Sequence, residues 1–330
     1  MPNLPPIEVY KQLVAQLQKQ GFFKCAYGYY ALYSLLVVIG TIISFYVMIA
    51  TDLLWVQVLN ALFLAFVSVQ AGMLGHDCSH LQVFRSERVN RFWGKFLWGF
   101  FCGLSEEKWY QKHNDHHVHV NHDGLDPDLD MPFIFSEVQL ETSNIFVRKF
   151  IVPHQHVIFF FLLPFVYLSM SLWTWRYLLS KITWTTIFEF VLIVIHFVFY
   201  GVFIFYFLPF GTALIFVVVW LGIVGVYMSA VFAPNHKGKE VFAHDEEEHW
   251  THQITATRNI YPSWLVFHMT GGLNFQIEHH LFPRMPRIHY WLAQPAVKKM
   301  CQQYSLEYYE TTFIQSVKEI YLALKKARPR

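Results

Sequence analysis

Charge is what this 330-residue chain has least of: 15% of its residues are Asp, Glu, Lys or Arg, against roughly 25% in an ordinary soluble domain. With 55% apolar and 19% aromatic residues, that deficit excludes a disordered chain and argues against a cytosolic globule. Cysteine is scarce too. Cys25, Cys78, Cys102 and Cys301 lie far apart without a C-x-x-C pair, which argues against a disulfide framework or a zinc ribbon. The net charge is only +2 and the cations are scattered, so no nucleic-acid partner is expected. The chain shows no internal repeat and no Gly/Ser linker, and its first residues lack the basic, then apolar, then small-residue order of a cleaved leader. Residues 1–330 therefore read as one domain.

Long apolar runs take the place of charge. Residues 30–50, 53–74, 187–208 and 212–232 each supply 21 or 22 residues, about 32 Å of helix for a hydrocarbon core about 30 Å thick. They pair into two hairpins whose tips, Thr51-Asp52 and Pro209-Phe210-Gly211, carry no Lys or Arg. All 25 Lys and Arg residues fall outside the four spans, and the positive-inside rule sets every segment that carries them on the cytoplasmic side. Residues 157–175 are also free of charge, but making them a span would send many basic residues to the opposite side. They read instead as an interfacial or half-inserted helix interrupted at Pro164. The aromatic stretch 92–104 takes the same reading, with a buried helix as its alternative. The expected fold is an all-α integral membrane protein: four transmembrane helices in two hairpins, interfacial helices and a cytosolic helical cap.

Histidine, at 18 residues, is the unusual abundance. Three clusters lie near span ends: His76-Asp77-Cys78-Ser79-His80, His113-Asn114-Asp115-His116-His117 and Gln276-Ile277-Glu278-His279-His280. On a helix, residues three and four apart share a face. His76 and His80 thus project together, as do His113, His116 and His117, and as do Gln276, His279 and His280. Chance alone gives one H-x-x-H-H string about once in twenty chains of this composition, but not three clusters on one face. Seven imidazoles and an amide oxygen are too many for one tetrahedral zinc and suit two metals with open positions.

Haem is the competing use of histidine, and in a bundle it would need paired His within the spans. Only His196 lies there, seven residues from Glu189 on one helical face. That pair is a functional candidate or a mutual hydrogen bond. His236, in Pro234-Asn235-His236, is placed to add a ligand. His119, His122, His154, His156, His244, His249, His252, His268 and His289 read as outer or surface groups. Asp77, Asp115, Asp126, Asp128 and Glu278 are candidates to accept the other N–H of a ligating imidazole.

Taken together, these residues resemble the membrane-bound histidine-box fatty acid desaturases. The matching strings are His76-Asp77-x-x-His80, Lys112-His113-Asn114-x-His116-His117, Asp126-Pro127-Asp128, Pro234-Asn235-His236, Thr257-Arg258-Asn259-Ile260 and the run from Gly272 to Pro283, covering residues 30–304. The resemblance implies two non-haem iron ions at the cytosolic membrane surface, held by His76, His80, His113, His116, His117, His236, Gln276, His279 and His280. Gln276 stands where many relatives carry a histidine and resembles the front-end group, which leaves the double-bond position open. Two departures accompany it: no His-Pro-Gly-Gly string of a fused cytochrome b5, and Gly271-Gly272 where some relatives have Gly-His.

The implied activity is insertion of a cis double bond into an acyl-CoA or acyl-lipid with O2 and two electrons from a separate carrier, a ferredoxin or a cytochrome b5. An apolar tunnel would present one methylene pair to the metals, with Phe92, Trp93, Phe96, Trp98 and residues 159–161 as its walls or as headgroup anchors. The readings from other classes are a di-iron lipid hydroxylase and a non-redox zinc-dependent lipid hydrolase or metal carrier.

Overall fold

The computed structural model describes residues 5–243 and 249–327, apart from the side chain at 138. It divides into two compact units, a span-bearing one of residues 25–110 and 163–230 and a histidine-rich one of residues 1–24, 111–162 and 231–330. In chain order the helices are α1 (Ile7–Lys19), α2 (Tyr27–Ala50), α3 (Leu54–Ser79), α4 (Glu87–Phe96), α5 (Glu106–Val118), α6 (Glu137–Thr142), α7 (Gln155–Leu162) and α8 (Val166–Ser180). They continue as α9 (Trp184–Phe207), α10 (Phe210–His236), α11 (His252–Thr255), α12 (Trp264–Met269), α13 (Gln276–Leu281), α14 (Tyr290–Gln303) and α15 (Phe313–Lys326).

The four expected spans are α2, α3, α9 and α10, and each is long and apolar enough to cross a bilayer. Two of them outrun their apolar stretches. Helix α3 carries on through His76 to Ser79, and α10 through Pro234 to His236, so three of the expected ligands, His76, His80 and His236, lie on or just past the last turn of a span. A fifth stretch, Gln155–Ser180, meets the same length and composition. It was expected at the interface. It is broken midway by a 3-10 turn at Leu163–Phe165, where Pro164 has no N–H for a helical bond.

Within the span-bearing unit α3 is largely buried while α2, α9 and α10 expose broad apolar faces, the division expected when lipid rather than water covers the outside. Polar groups buried here join neighbouring helices. The Asn60 side chain donates to the carbonyl of Ser44 (2.9 Å), and Gln57 donates to those of Val47 (3.1 Å) and Thr51 (2.6 Å), which pins α3 against the C-terminal part of α2. A π-helical turn at Leu97–Phe101 follows α4 and buries Trp98 completely. Only a glycine fits opposite it, since a Cβ at Gly75 would lie 2.6 Å from the Trp98 ring. The 92–104 segment is therefore divided: Phe92 (51%) and Trp93 (41%) are exposed, whereas Trp98 is interior.

Five charged groups meet inside the same unit. The Lys95 ammonium donates to Glu106 and Glu107, both at 2.8 Å, and lies 3.6 Å from Glu189. Glu106 also accepts from Ser79 (2.7 Å) and Arg91 (3.3 Å), while Glu189 accepts from Ser105 (2.6 Å) and from the backbone N–H of Glu107 (2.9 Å). Burial opposes the charge on Lys95, but Glu106 and Glu189 outweigh it and raise its pKa. These bonds tie the end of α3 and the first turn of α5 to α4 and α9. Glu189 and His196 do not form the expected pair, because His196 donates through Nδ1 to the carbonyl of Phe100 (2.7 Å).

The histidine-rich unit is also helical, with one two-residue parallel pairing of Asn259–Ile260 and Glu310–Thr311. That pairing fixes the segment before α12 against the one before α15, and two residues are too few for a period-2 pattern.

Removing the central cation tests the buried charge network. Lys95→Met should take the central cation from Glu106, Glu107 and Glu189, leaving Arg91 on Glu106, and cost about 3–5 kcal/mol. A drop in thermal midpoint of the detergent-solubilised protein, absent in the exposed control Lys11→Met, is the expected result.

Candidate metal centre

Helical spacing does what the sequence implied. In the histidine-rich unit α5 presents His113, His116 and His117, α13 presents His279 and His280, and α10 ends on His236. They meet in two sets. The His117 Nε2 atom lies 3.1 Å from Nε2 of His113 and 3.1 Å from Nε2 of His279. The second set is His116, His236 and His280, all buried, with ligand nitrogens within 4.8 Å of one another. The two sets touch where the His117 and His280 rings stack, centroids 4.2 Å apart.

Neutral imidazoles that point nitrogens at each other cannot all be satisfied by hydrogen bonds, since each ring holds one hydrogen and one lone pair. A cation bound at about 2.0–2.1 Å satisfies them, because it places neighbouring nitrogens about 3 Å apart. The outer partners show which nitrogen is offered. His116 Nδ1 donates to the Asp126 carboxylate at 2.9 and 3.0 Å, leaving Nε2 as its lone pair. Burial works against a charged His116, but Asp126 and Asp128 outweigh it and raise its pKa. Asp126 is in turn held by the backbone N–H groups of Asn121 and Asp128, both at 2.8 Å. His279 Nδ1 lies 3.1 Å from the Tyr290 hydroxyl.

His280 is set most clearly. Gln253 donates its amide NH2 to the carbonyl of His117 (2.9 Å), which can only accept, so its oxygen faces His280 Nδ1 at 2.8 Å. The hydrogen of His280 is therefore on Nδ1, and Nε2 is a bare lone pair, buried with no hydrogen-bond partner. Burial and the rings of His117 and His236 push its pKa well below the ordinary value, which keeps it neutral. A buried orphan lone pair of this kind fits a transition-metal ion.

His76 and His80 form a pair in the span-bearing unit, with ring centroids 4.6 Å apart and ligand nitrogens within 4.8 Å of each other. The His76 Nδ1 atom lies 3.2 Å from Asp77. Gln276 is buried beside His236, its amide nitrogen 2.8 Å from Nε2. Of the carboxylates named from sequence, Asp126 and Asp77 meet imidazoles, whereas Asp115 is exposed. Glu278 turns away, accepting from Tyr308 (2.5 Å) and Asn259 (2.8 Å), while burial pushes its carboxyl up to about 7. His122 and His252 face each other at 3.2 Å, apart from both sets, and His244 lies outside the described residues. Gln253 and Tyr290 were not foreseen. No spacing rule marks them, because each reaches a ligand from an element distant in sequence.

The fatty acid desaturase family model matches residues 53–312 of the chain, a stretch that contains all nine candidate residues. Fatty acid desaturase 3 of Bos taurus is 31% identical over 83% of this chain and 62% of its own length. A fatty acid desaturase 2-like protein, FADS2B, of Mus musculus is 28% identical over 98% of this chain and 67% of its own. An acyl-lipid (9-3)-desaturase of Physcomitrium patens is 30% identical over 96% and 62%. The chain thus spans 62–67% of the length of these curated relatives.

Gln253→Leu removes the oxygen that fixes the His280 tautomer together with the N–H bond to the His117 carbonyl. Metal affinity should fall by about 10- to 100-fold, measured by chelator competition on the purified protein, with the helical circular dichroism unchanged.

Proposed function

The chain belongs to the fatty acid desaturase family, and we propose that it is an O2-dependent acyl desaturase with two iron ions held by its histidine clusters. The observation that carries this reading is the presence of two three-imidazole sets in one unit, His113/His117/His279 and His116/His236/His280. His76 and His80 complete the ligand set in this reading, supported by their pairing and by the first histidine box they form. The whole chain, 1–330, acts as one desaturase domain, and the gathering of Lys and Arg outside the expected spans supports a site on the cytoplasmic side.

Bound iron would supply the oxidising power, drawn from O2 and two electrons, that removal of hydrogen from an unactivated methylene pair requires. An acyl chain loses two hydrogens, and O2 with two electrons and two protons leaves as two waters. The protein's own part is to hold neutral donors in place. Asp126 fixes the tautomer of His116 and Gln253 that of His280, and burial keeps His280 uncharged. Neutral imidazoles bind a cation without cancelling its charge. The electrons come from a ferredoxin or a cytochrome b5, and the substrate is an acyl-CoA or an acyl-lipid.

Expression in a host with defined fatty acids tests this directly. A new fatty acid lighter by two hydrogens, with its double bond located by mass spectrometry, is expected only when O2 is present. A product that retains oxygen would replace desaturation with hydroxylation. His80→Ala and His117→Ala should each abolish the product while the protein still accumulates in the membrane fraction. Unsaturated product from either variant would contradict the assigned site.

A further inference from the structure

Two buried amides next to the metal sets form a chain whose direction can be read. Asn235 directs its side-chain nitrogen at the carbonyls of Val231 (2.9 Å) and Leu273 (3.0 Å). Both carbonyls can only accept, so the NH2 and not the oxygen of Asn235 occupies that corner. The same nitrogen lies 3.1 Å from Gln276 Oε1, its two hydrogens shared among three acceptors. Gln276 therefore keeps its oxygen on Asn235 and turns its own NH2 toward His236, 2.8 Å from Nε2. Reversing Gln276 would set two NH2 groups against each other, and reversing Asn235 would set its oxygen against two carbonyls. Asn235, Gln276 and His236 are only 1%, 2% and 5% exposed, so water cannot relieve either mismatch.

The arrangement has a consequence for His236. A neutral imidazole carries one hydrogen. With Nε2 accepting from Gln276, that hydrogen sits on Nδ1, which is buried without a hydrogen-bond partner. The only lone pair His236 can give a cation is the one the Gln276 hydrogen already holds.

We infer that Gln276 is not a metal ligand but a hydrogen-bond cap on His236, a positioning residue whose amide N–H a metal must displace from Nε2. This rests on the reading of the clusters as a metal centre and deepens it: the second set is purely imidazole, and metal competes there with an amide N–H. The opposite assignment, Gln276 as an oxygen ligand, requires the amide orientation that Asn235 opposes.

The two roles predict changes of opposite sign when the amide is removed. The full-length protein in detergent, stripped of metal, is titrated with Co(II) as the probe, with d–d absorption and chelator competition reporting stoichiometry and affinity. Wild type taking up two ions per chain is the control for the metal centre itself. If it binds none, the parent reading fails, whatever Gln276 does. Given that control, Gln276→Leu should still bind two ions, the weaker as tightly as in wild type or up to about tenfold more tightly, since one neutral hydrogen bond no longer competes. Affinity lowered more than tenfold, or one ion lost, overturns the inference in favour of ligation. Gln276→Met, closer in shape and also without an N–H, gives the same reading should the Leu variant not accumulate.

Discussion

Everything else in the histidine-rich unit follows from one unfavourable arrangement, imidazole nitrogens held about as close as hydrogen-bonded atoms with too few hydrogens to share. His117 faces His113 and His279 at 3.1 Å through Nε2 alone. In a metal-free protein such a set is a local cost, comparable to leaving buried polar atoms unmade. Packing of α5, α10 and α13 must hold it together, so the rest of the unit acts as the frame for that cost. A bound cation reverses the sign, because one positive centre can accept a lone pair from every ring at once. Metal binding and folding are coupled in this way wherever a site is assembled before its metal arrives.

Precision at such a site comes from the far side of each ring. The partners of His116, His280 and His279 differ in kind: a carboxylate from Asp126, an amide oxygen from Gln253 and a phenol from Tyr290. A carboxylate makes the imidazole a stronger donor than a neutral acceptor does. The two sets are therefore not chemically equivalent, even though their ligands are nearly all histidine. His116 and His280 lie in the same set with opposite pKa directions, up beside Asp126 and down beside the other rings. The two carboxylates beside His116, Asp126 and Asp128, thus tune a set whose ligands are themselves neutral groups.

Much of this was legible in the sequence because the ligands obey a helical period. His113, His116 and His117 lie on one face of α5, and His279 and His280 on α13, as their spacing implies. The four apolar runs became four helices, though the ends of α3 and α10 were set too early, since hydropathy falls at His76 and Pro234 while the helix goes on. Gln253 and Tyr290 could not be read, because what marks them is contact across the fold. The direction of the Gln276 amide was equally hidden, as it depends on two carbonyls, at Val231 and Leu273, that any sequence would supply. In residues 157–175 the break was legible as well: Pro164, which lacks an N–H, divides them into two helices at the position its chemistry implies.

The span-bearing unit meets the same problem of buried polarity with the opposite chemistry. There the groups are acids and bases, and each has a partner: Lys95 between Glu106 and Glu107, Arg91 against Glu106, Ser105 and a backbone N–H on Glu189. Ionic pairing of this kind costs much desolvation, and an apolar replacement of the whole group would often be no less stable. What it supplies is direction. Glu106 ties Ser79, the neighbour of His80 at the end of α3, to α4. A hydrophobic contact would permit that helix end to slide, whereas a carboxylate accepting from three donors fixes it in azimuth and depth. A ligand carried on a helix end needs that constraint, since ligation geometry tolerates errors of only about half an ångström.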